Sequence, residues 1–435
     1  MKNRILDAVM GLCVGDALGV PVEFMSRRSL KLNPVISMRE YGTYHKPRGT
    51  WSDDTSMTLC FLDSLATGID YDDIMKKFVL WYKEGHYTQY GEAFDVGNGT
   101  REAILRYISK VEPLCCGGRD EFNNGNGSLM RILPLLFYLR SNYGENFYMK
   151  DEAFDQIHKI SALTHGHPRS QMACGIYLTV ATMLMDETCV NVAVKKGMDK
   201  VIKFYADNEI YKDEIALFMR LQSETFEALP ESEIRSSGYV VDTLEAAIWC
   251  LLKSNSYAEC VLMAVNLGED TDTVAAVAGG LAGLYYGLGQ IPVEWVDAIP
   301  GREMIVGLSE QLYKSLLREC ILEITQFIPY LKRMRGQTVC NYRNGYPVYD
   351  QSLLEFVDAV ERSNLMVHDY LRIISEYGIN HFDEIADRLK EANIELTLAI
   401  LTGLVRQERF GEGLWKEAVE KELFLSALVR LETFV

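Results

Sequence analysis

None of the ten cysteines forms a C-x-x-C pair, so the sequence supports neither a zinc ribbon nor a thioredoxin-like redox site. No uninterrupted apolar run reaches the ~18 residues that a membrane-spanning helix needs. Positive charge is short: 44 Lys and Arg stand against 61 Asp and Glu, a formal charge of −17. General nucleic-acid binding and attachment to an anionic membrane both need surplus Lys and Arg, so the deficit argues against each. A local basic pocket for a phosphate is still compatible with it. Strand signals are scarce, and no internal repeat or low-complexity tract is visible.

What is present describes a folded protein. The 435 residues are 48% hydrophobic and 24% charged, the balance of a globular chain. That length implies two domains or three. Asp7 and Asp16 interrupt what would be the apolar core of a signal peptide, so the N-terminus reads as mature sequence. With its scattered cysteines, the chain is expected in a reducing cytoplasm.

Periodic apolar spacing predicts helices over Ile5–Leu18, Ser56–Leu65, Tyr71–Tyr82, Leu129–Tyr138, Gln171–Met185, Val190–Tyr205, Thr243–Leu252, Tyr257–Leu267 and Thr273–Leu288. Gly and Asn gather in three loops, Gly97–Thr100, Gly117–Ser128 and Gly268–Thr273. The expected fold class is all-α, with polar loops between buried helices. Character changes near residue 320, and a domain boundary is expected at about residue 330. An Asn344-Gly345 hairpin signal follows, then further helical stretches, Gln351–Ser363, Val367–Tyr377, Asn380–Glu391 and Ile394–Arg409. We expect a first domain over 1–325 and a smaller, mostly helical one over 335–435.

Three acidic segments stand out: Cys13–Glu23 (CVGDALGVPVE), Gly49–Thr55 (GTWSDDT) and Gly268–Thr273 (GEDTDT). Each sets carboxylates among small and hydroxyl residues at the edge of a predicted helix. Taken singly, an Asp pair before a helix is an N-terminal cap. Taken together, the segments offer hard oxygen donors with no thiolate beside them, a set suited to Mg²⁺ or Mn²⁺ and poorly to zinc. If Asp53 and Asp54 face Asp270 and Asp272, four carboxylates converge and need cations among them. His165-x-His167 lacks a third nitrogen or sulfur ligand for zinc. Arg131 and Arg169 read as partners of carboxylates, Cys13 as core, and Gly125–Ser128 as either an ordinary loop or a helix opening toward an anion.

The motifs GLCVGDALGVPVEF (Gly11–Phe24), WSDDTSMT (Trp51–Thr58), GNGSLMRILP (Gly125–Pro134), THGHPRS (Thr164–Ser170) and GEDTDTVAAVAGGLAG (Gly268–Gly283) occur in the order of the ADP-ribosylglycohydrolase family. The resemblance covers about residues 1–320. It implies an all-α fold and a two-metal centre, Mg²⁺ or Mn²⁺, that removes ADP-ribose from a modified protein or small molecule. It further implies Ser52, Asp53, Asp54, Asp270, Asp272 and Thr273 as metal ligands, with Glu23, Asp53 and Asp270 at the scissile bond. Glu23, Asn126, Gly127, Ser128 and His165 are implied as substrate contacts. Glu269 departs from the family's frequent Gly and would add bulk or charge to the turn.

The implied reaction is hydrolysis at C1″ of the distal ribose through an oxocarbenium-like transition state. Glu23 would orient the attacking water or act as its base. Three other readings compete: an ADP-ribose-binding protein without catalysis, a two-metal nucleotide phosphohydrolase, and a helical scaffold without ligand. Arg409–Val419 (RFGEGLWKEAV) resembles the end of a small bacterial domain of uncharacterised function, which implies recognition of the target or self-association. Read from its residues alone, this stretch is a packed turn. The sequence does not fix the oligomeric state.

Overall fold

The computed structural model describes every residue except 1, 187–188, 338, 344–345, 364, 368, 380 and 382–383, and only the backbone of 2–3. Two helices organise the first unit, Met1–Tyr313. They are α1 (Lys2–Gly19) and, far along the chain, α12 (Thr271–Tyr286). Their crossing is backbone against backbone. A Cβ on Gly11 would stand 2.4 Å from the Gly279 carbonyl oxygen, one on Gly15 2.1 Å from that of Ala275, and one on Gly283 2.3 Å from that of Asp7. Glycine is therefore demanded here by the approach of a neighbouring helix rather than by a turn. Tyr257 seals the crossing by donating to the Gly11 carbonyl at 2.6 Å. α1 is long and apolar enough to cross a membrane by composition, but 94% of that stretch is buried inside the fold.

Between them run α2 (Arg27–Leu32), α3 (Asp53–Leu65), α4 (Tyr71–Glu84), α5 (Asn98–Ile108), α6 (Leu135–Tyr143), α7 (Asp151–Ala162), α8 (Pro168–Asp186), α9 (Val190–Ala206), α10 (Val240–Lys253) and α11 (Tyr257–Asn266). After α12 come α13 (Val293–Asp297) and α14 (Arg302–Thr325). Their boundaries follow local chemistry. Asp70 caps α4 by accepting from the amides of Asp72 and Asp73, and Gly85 ends it at φ 69°. The helix expected from Leu129 starts instead at Leu135, and residues 127–131 form turns. Pro134 has no N–H to give a preceding turn and sits well at a helix start, which explains the shift.

The second unit, Lys314–Val435, takes over within α14. It holds α15 (Ile328–Arg333), an antiparallel pair β1 (Cys340–Arg343) and β2 (Tyr346–Tyr349), then α16 (Gln351–Arg362), α17 (Tyr370–Glu376), α18 (Ile385–Leu389), α19 (Ile394–Arg406), α20 (Leu414–Glu420) and α21 (Leu423–Glu432). Cys340 pairs with Tyr349 and Arg343 with Tyr346. The Asn344-Gly345 turn expected between the strands lies outside the described residues. Glu408 holds the RFGEGLW segment, its two carboxylate oxygens accepting from the amides of Gly413 (2.7 Å) and Trp415 (2.8 Å). The Trp415 indole donates to the Val405 carbonyl at 2.8 Å. That segment is a packed turn. The fold is all-α, with this one short hairpin among the described residues.

Candidate active site

The close crossing of α1 and α12 sets the floor of the site. Asp16, fully buried on α1, accepts from the amides of Ser52 (2.9 Å) and Thr55 (3.1 Å) and from the Thr55 hydroxyl (2.6 Å). It thereby fastens the start of α3 to α1. Ser52 is the N-cap of α3; its hydroxyl accepts from the Asp54 amide and lies 3.0 Å from Asp54 Oδ2. From α12, the Thr273 hydroxyl donates to the same Asp54 oxygen at 3.3 Å. Residues 219 positions apart thus meet in one buried cluster.

Capping does not consume the acidic residues. Ser52, not Asp53 or Asp54, caps α3, and Asp270 stands at the N-cap of α12 without a side-chain cap bond. Four carboxylate oxygens, Glu23 Oε2, Asp54 Oδ1, Asp270 Oδ1 and Asp272 Oδ2, are buried without a hydrogen-bond partner. Two triplets of carboxylates, Asp16/Asp54/Asp272 and Glu23/Asp95/Asp272, each bring oxygens within 4.8 Å of one another. Asp53 and Asp270 belong to neither triplet but line the cavity above them. Neither His165 nor His167 joins a ligand cluster among the described residues.

Burial and mutual repulsion push these acids away from ionisation. Burial first, then Asp95 and Asp54, hold Asp53 well above the usual carboxylate range; burial, Asp16 and Asp270 do the same for Asp54. Burial, then Glu23 and Asp95, raise Asp272 equally. Burial lifts Asp16 to about 6, against the pull of its Thr55 and Ser52 hydrogen bonds. Glu23 rises to about 9, through burial and then Asp95. Such a set is stable as carboxylates only with positive charge among them. Orphaned hard oxygens at short spacing fit divalent cations of the Mg²⁺ type.

Above this floor opens a cavity of about 400 Å³. Glu23, Asp53, Asp270 and Thr273 line one part of it; Asn126, Gly127 and His165 line another. Asn126 donates to Asp270 Oδ2 (2.8 Å) and Thr243 Oγ1 (2.9 Å), so it positions an acidic residue as well as facing the cavity. His165 shares a 2.8 Å hydrogen bond through Nδ1 with the Thr164 hydroxyl. Burial and then Arg131 push its pKa down to about 3, leaving a neutral ring. Gly99 and Gly127 make room for that ring: a Cβ on either would lie 3.1 or 2.8 Å from it.

Ser128 does not line the cavity. Its hydroxyl is fully buried behind the loop, 3.0 Å from Ser161 Oγ and within reach of the Cys174 thiol. The alternative of a helix opening at Gly125–Ser128 is not realised: Gly125 bridges to Tyr239, and a bend at Asn126 leads into turns from Gly127. Besides the starts of α3 and α12, the N-terminus of α5 faces the cavity, through Asn98, Gly99 and Thr100. Arg131 is fully buried, donates to the Gly127 and Ile160 carbonyls and stacks over Phe78. It braces the loop from beneath. Arg169 pairs with Glu214 at 2.6 Å, and Cys13 is core, its thiol raised by burial. Glu269 is exposed at φ 64°, the left-handed region that favours Gly.

Three residues outside the quoted motifs escaped the sequence reading. Asp95, at φ 55°, completes the Glu23 triplet and accepts from the Tyr44 hydroxyl at 2.6 Å. It lies in an ordinary-looking loop with no second acid beside it. Its one signal is the Gly97–Thr100 run that follows. Tyr44 also packs on Phe94, 5.1 Å between ring centres. Phe122 is 96% exposed yet lines the cavity.

A buried crossing of two helices delivers clustered carboxylates to the floor of a ligand-sized cleft, which defines the class by its fold and site: an all-α protein whose acidic cleft could hold cations. The chain belongs to the ADP-ribosylglycohydrolase family, which matches residues 1–320, and is an ADP-ribosyl hydrolase. Residues 319–435 match a family of unknown function (DUF6508). The chain is 31% identical over 313 residues to an ADP-ribosylarginine hydrolase of Serratia proteamaculans (strain 568), covering 72% of this chain and 79% of that one. It is 31% identical over 310 residues to the ADP-ribosyl-dinitrogen reductase glycohydrolase of Rhodospirillum rubrum, covering 69% and 91%. A solved structure titled ADP-ribosylglycohydrolase-related protein complex aligns with a TM-score of 0.58 at 32% identity, covering 72% and 98%.

Proposed function

We propose that this chain hydrolyses the C1″ glycosidic bond between ADP-ribose and an arginine side chain of a modified protein, with a pair of divalent cations, Mg²⁺ or Mn²⁺, as cofactor. One observation carries the reading: Glu23, Asp54, Asp270 and Asp272 each leave a buried oxygen without a partner, and Glu23 and Asp270 line a cavity large enough for a nucleotide. Ser52, Asp53, Asp54, Asp270, Asp272 and Thr273 would hold the cations. When bound, these supply Lewis-acid stabilisation of oxygen charge and a lowered pKa for water. The naming of a relative as an ADP-ribosylarginine hydrolase supports the arginine acceptor. So does the acidic lining of Glu23 and Asp95, which favours a cationic guanidinium.

The chain's own groups divide the remaining work. Glu23 and Asp95 orient the attacking water and take its proton. Water oxygen bonds to C1″, the C1″–N bond breaks, its electron pair stays on the acceptor nitrogen, and that nitrogen gains a proton. The first amides of α5, at Asn98–Thr100, donate to the pyrophosphate without needing a basic patch. The exposed ring of Phe122 stacks on adenine. Neutral His165 supplies a hydrogen bond rather than a charge. Ten free cysteines suit a reducing cytoplasm. The C-terminal unit serves recognition of the target or self-association.

Product analysis tests the reading. Incubation of the full chain with an ADP-ribosylated arginine peptide and Mg²⁺ should release ADP-ribose and unmodified peptide. AMP or phosphate would point to a phosphohydrolase, and tight binding without product to a binding protein.

A further inference from the structure

We infer that Phe24 is the acceptor-side contact of this site and selects which ADP-ribosylated acceptors are cleaved. The inference rests on the glycohydrolase reading and names a residue that reading leaves unused. Phe24 is 70% exposed and lines the same cavity as Glu23, Asp53 and Asp270. A large aromatic held in water next to a catalytic carboxylate gains nothing for folding. Its backbone is also strained, at φ 63°.

That conformation is enforced from two sides. The Phe24 amide donates to the Glu269 carbonyl at 2.7 Å, and the Glu269 amide donates back to the Met25 carbonyl at 2.8 Å. Glu269 is itself left-handed, so two strained residues lock each other across the motifs that bring in Glu23 and Asp270. On the preceding residue, the Thr43 hydroxyl donates to the Glu23 carbonyl at 2.8 Å. The turn is rigid and its ring is presented outward.

What the ring meets follows from its neighbours. Phe24 follows Glu23 directly in the chain, beside the carboxylates where C1″ must lie. Phe122 lines the same cavity with Gly125 and the first residues of α5, and a Cβ on Gly99 or Gly125 would lie 3.1 or 3.4 Å from the same His165 nitrogen. With adenine at Phe122 and pyrophosphate at α5, Phe24 falls on the leaving-group side. A face of Phe beside a guanidinium and its methylene stem offers cation–π and apolar contact together.

The test compares Phe24→Ala and Phe24→Trp with the parent, as full chains loaded with Mg²⁺. Readouts are KM and kcat on an ADP-ribosylated arginine peptide, affinity for free ADP-ribose by calorimetry, and thermal midpoint. Phe24→Ala should raise KM about 3- to 30-fold, the span of one cation–π contact, exceeding any fall in kcat. Free ADP-ribose, which lacks the acceptor, should bind Phe24→Ala as it binds the parent, and Phe24→Trp should restore KM. An equal loss of ADP-ribose affinity would make Phe24 an adenine or ribose contact and overturn the assignment. A matching fall in thermal midpoint and kcat in both variants would make it structural and overturn it too. A parent that releases no ADP-ribose from any acceptor would overturn the glycohydrolase reading itself, and the role of Phe24 with it.

Discussion

At the residue scale, the site is a problem in electrostatics. Asp54 and Asp272 are completely buried, and each has an oxygen with no partner. Replacing Asp54 or Asp270 by Asn removes one negative charge while keeping shape. Each variant should lose ~100-fold or more in turnover with folding retained, measured as ADP-ribose release and by circular dichroism. The pH dependence of stability follows from the raised pKa values. An acid raised in the folded state holds its proton there after the unfolded chain has released it. Stability then falls as pH rises from the ordinary carboxylate range to the folded value. For Asp16 that window closes at about 6 and for Glu23 at about 9. Metal-stripped protein should therefore lose thermal midpoint steadily between about pH 5 and 9, and the gain on adding Mg²⁺ should grow across the same range. A flat profile without metal would contradict the burial of these acids.

At the element scale, two buried helices must touch backbone to backbone so that Asp16 and Asp272 reach one point. Gly279→Ala puts a methyl 2.4 Å from the Gly11 carbonyl oxygen. Overpacking of this kind costs about 1–3 kcal/mol, which urea unfolding will read. Much of this element plan was legible in the sequence. The apolar period marked α1, α3, α4 and α8 to α12 to within a few residues. The Ala-Gly run after Asp272 reads as a buried helix, and it is one. What escaped was set by tertiary contact. α5 opens with Asn98-Gly99, residues that read as loop, and became a helix facing the cavity. Asp95 has no local partner; Tyr44, 51 positions away, fixes its carboxylate. Ser128 carries the right motif, but its hydroxyl turns inward, a direction no motif encodes.

At the scale of the whole molecule, two units share one chain. The first carries every residue of the proposed site, and the second matches a family without a known function. Within the second unit, Tyr342, Tyr346 and Val348 leave the hairpin exposed, and the Trp415 turn is packed tight around Glu408. If the second unit recognises the modified protein, a chain ending after Arg335 should still release ADP-ribose from a small arginine conjugate and lose efficiency on an ADP-ribosylated protein. Parallel assays on both substrates will show this, and equal losses on the two would assign the unit to stability instead.

The most direct test of the central claim is the release of ADP-ribose from ADP-ribosylated arginine by parent and Asp272→Asn, each assayed after chelation and after titration back with Mg²⁺ or Mn²⁺, with cation binding followed by calorimetry. The parent should be inactive when stripped and recover as the cation binds; the variant should bind it weakly and stay inactive. Full activity of the stripped parent, or cation binding undiminished in the variant, would contradict the account.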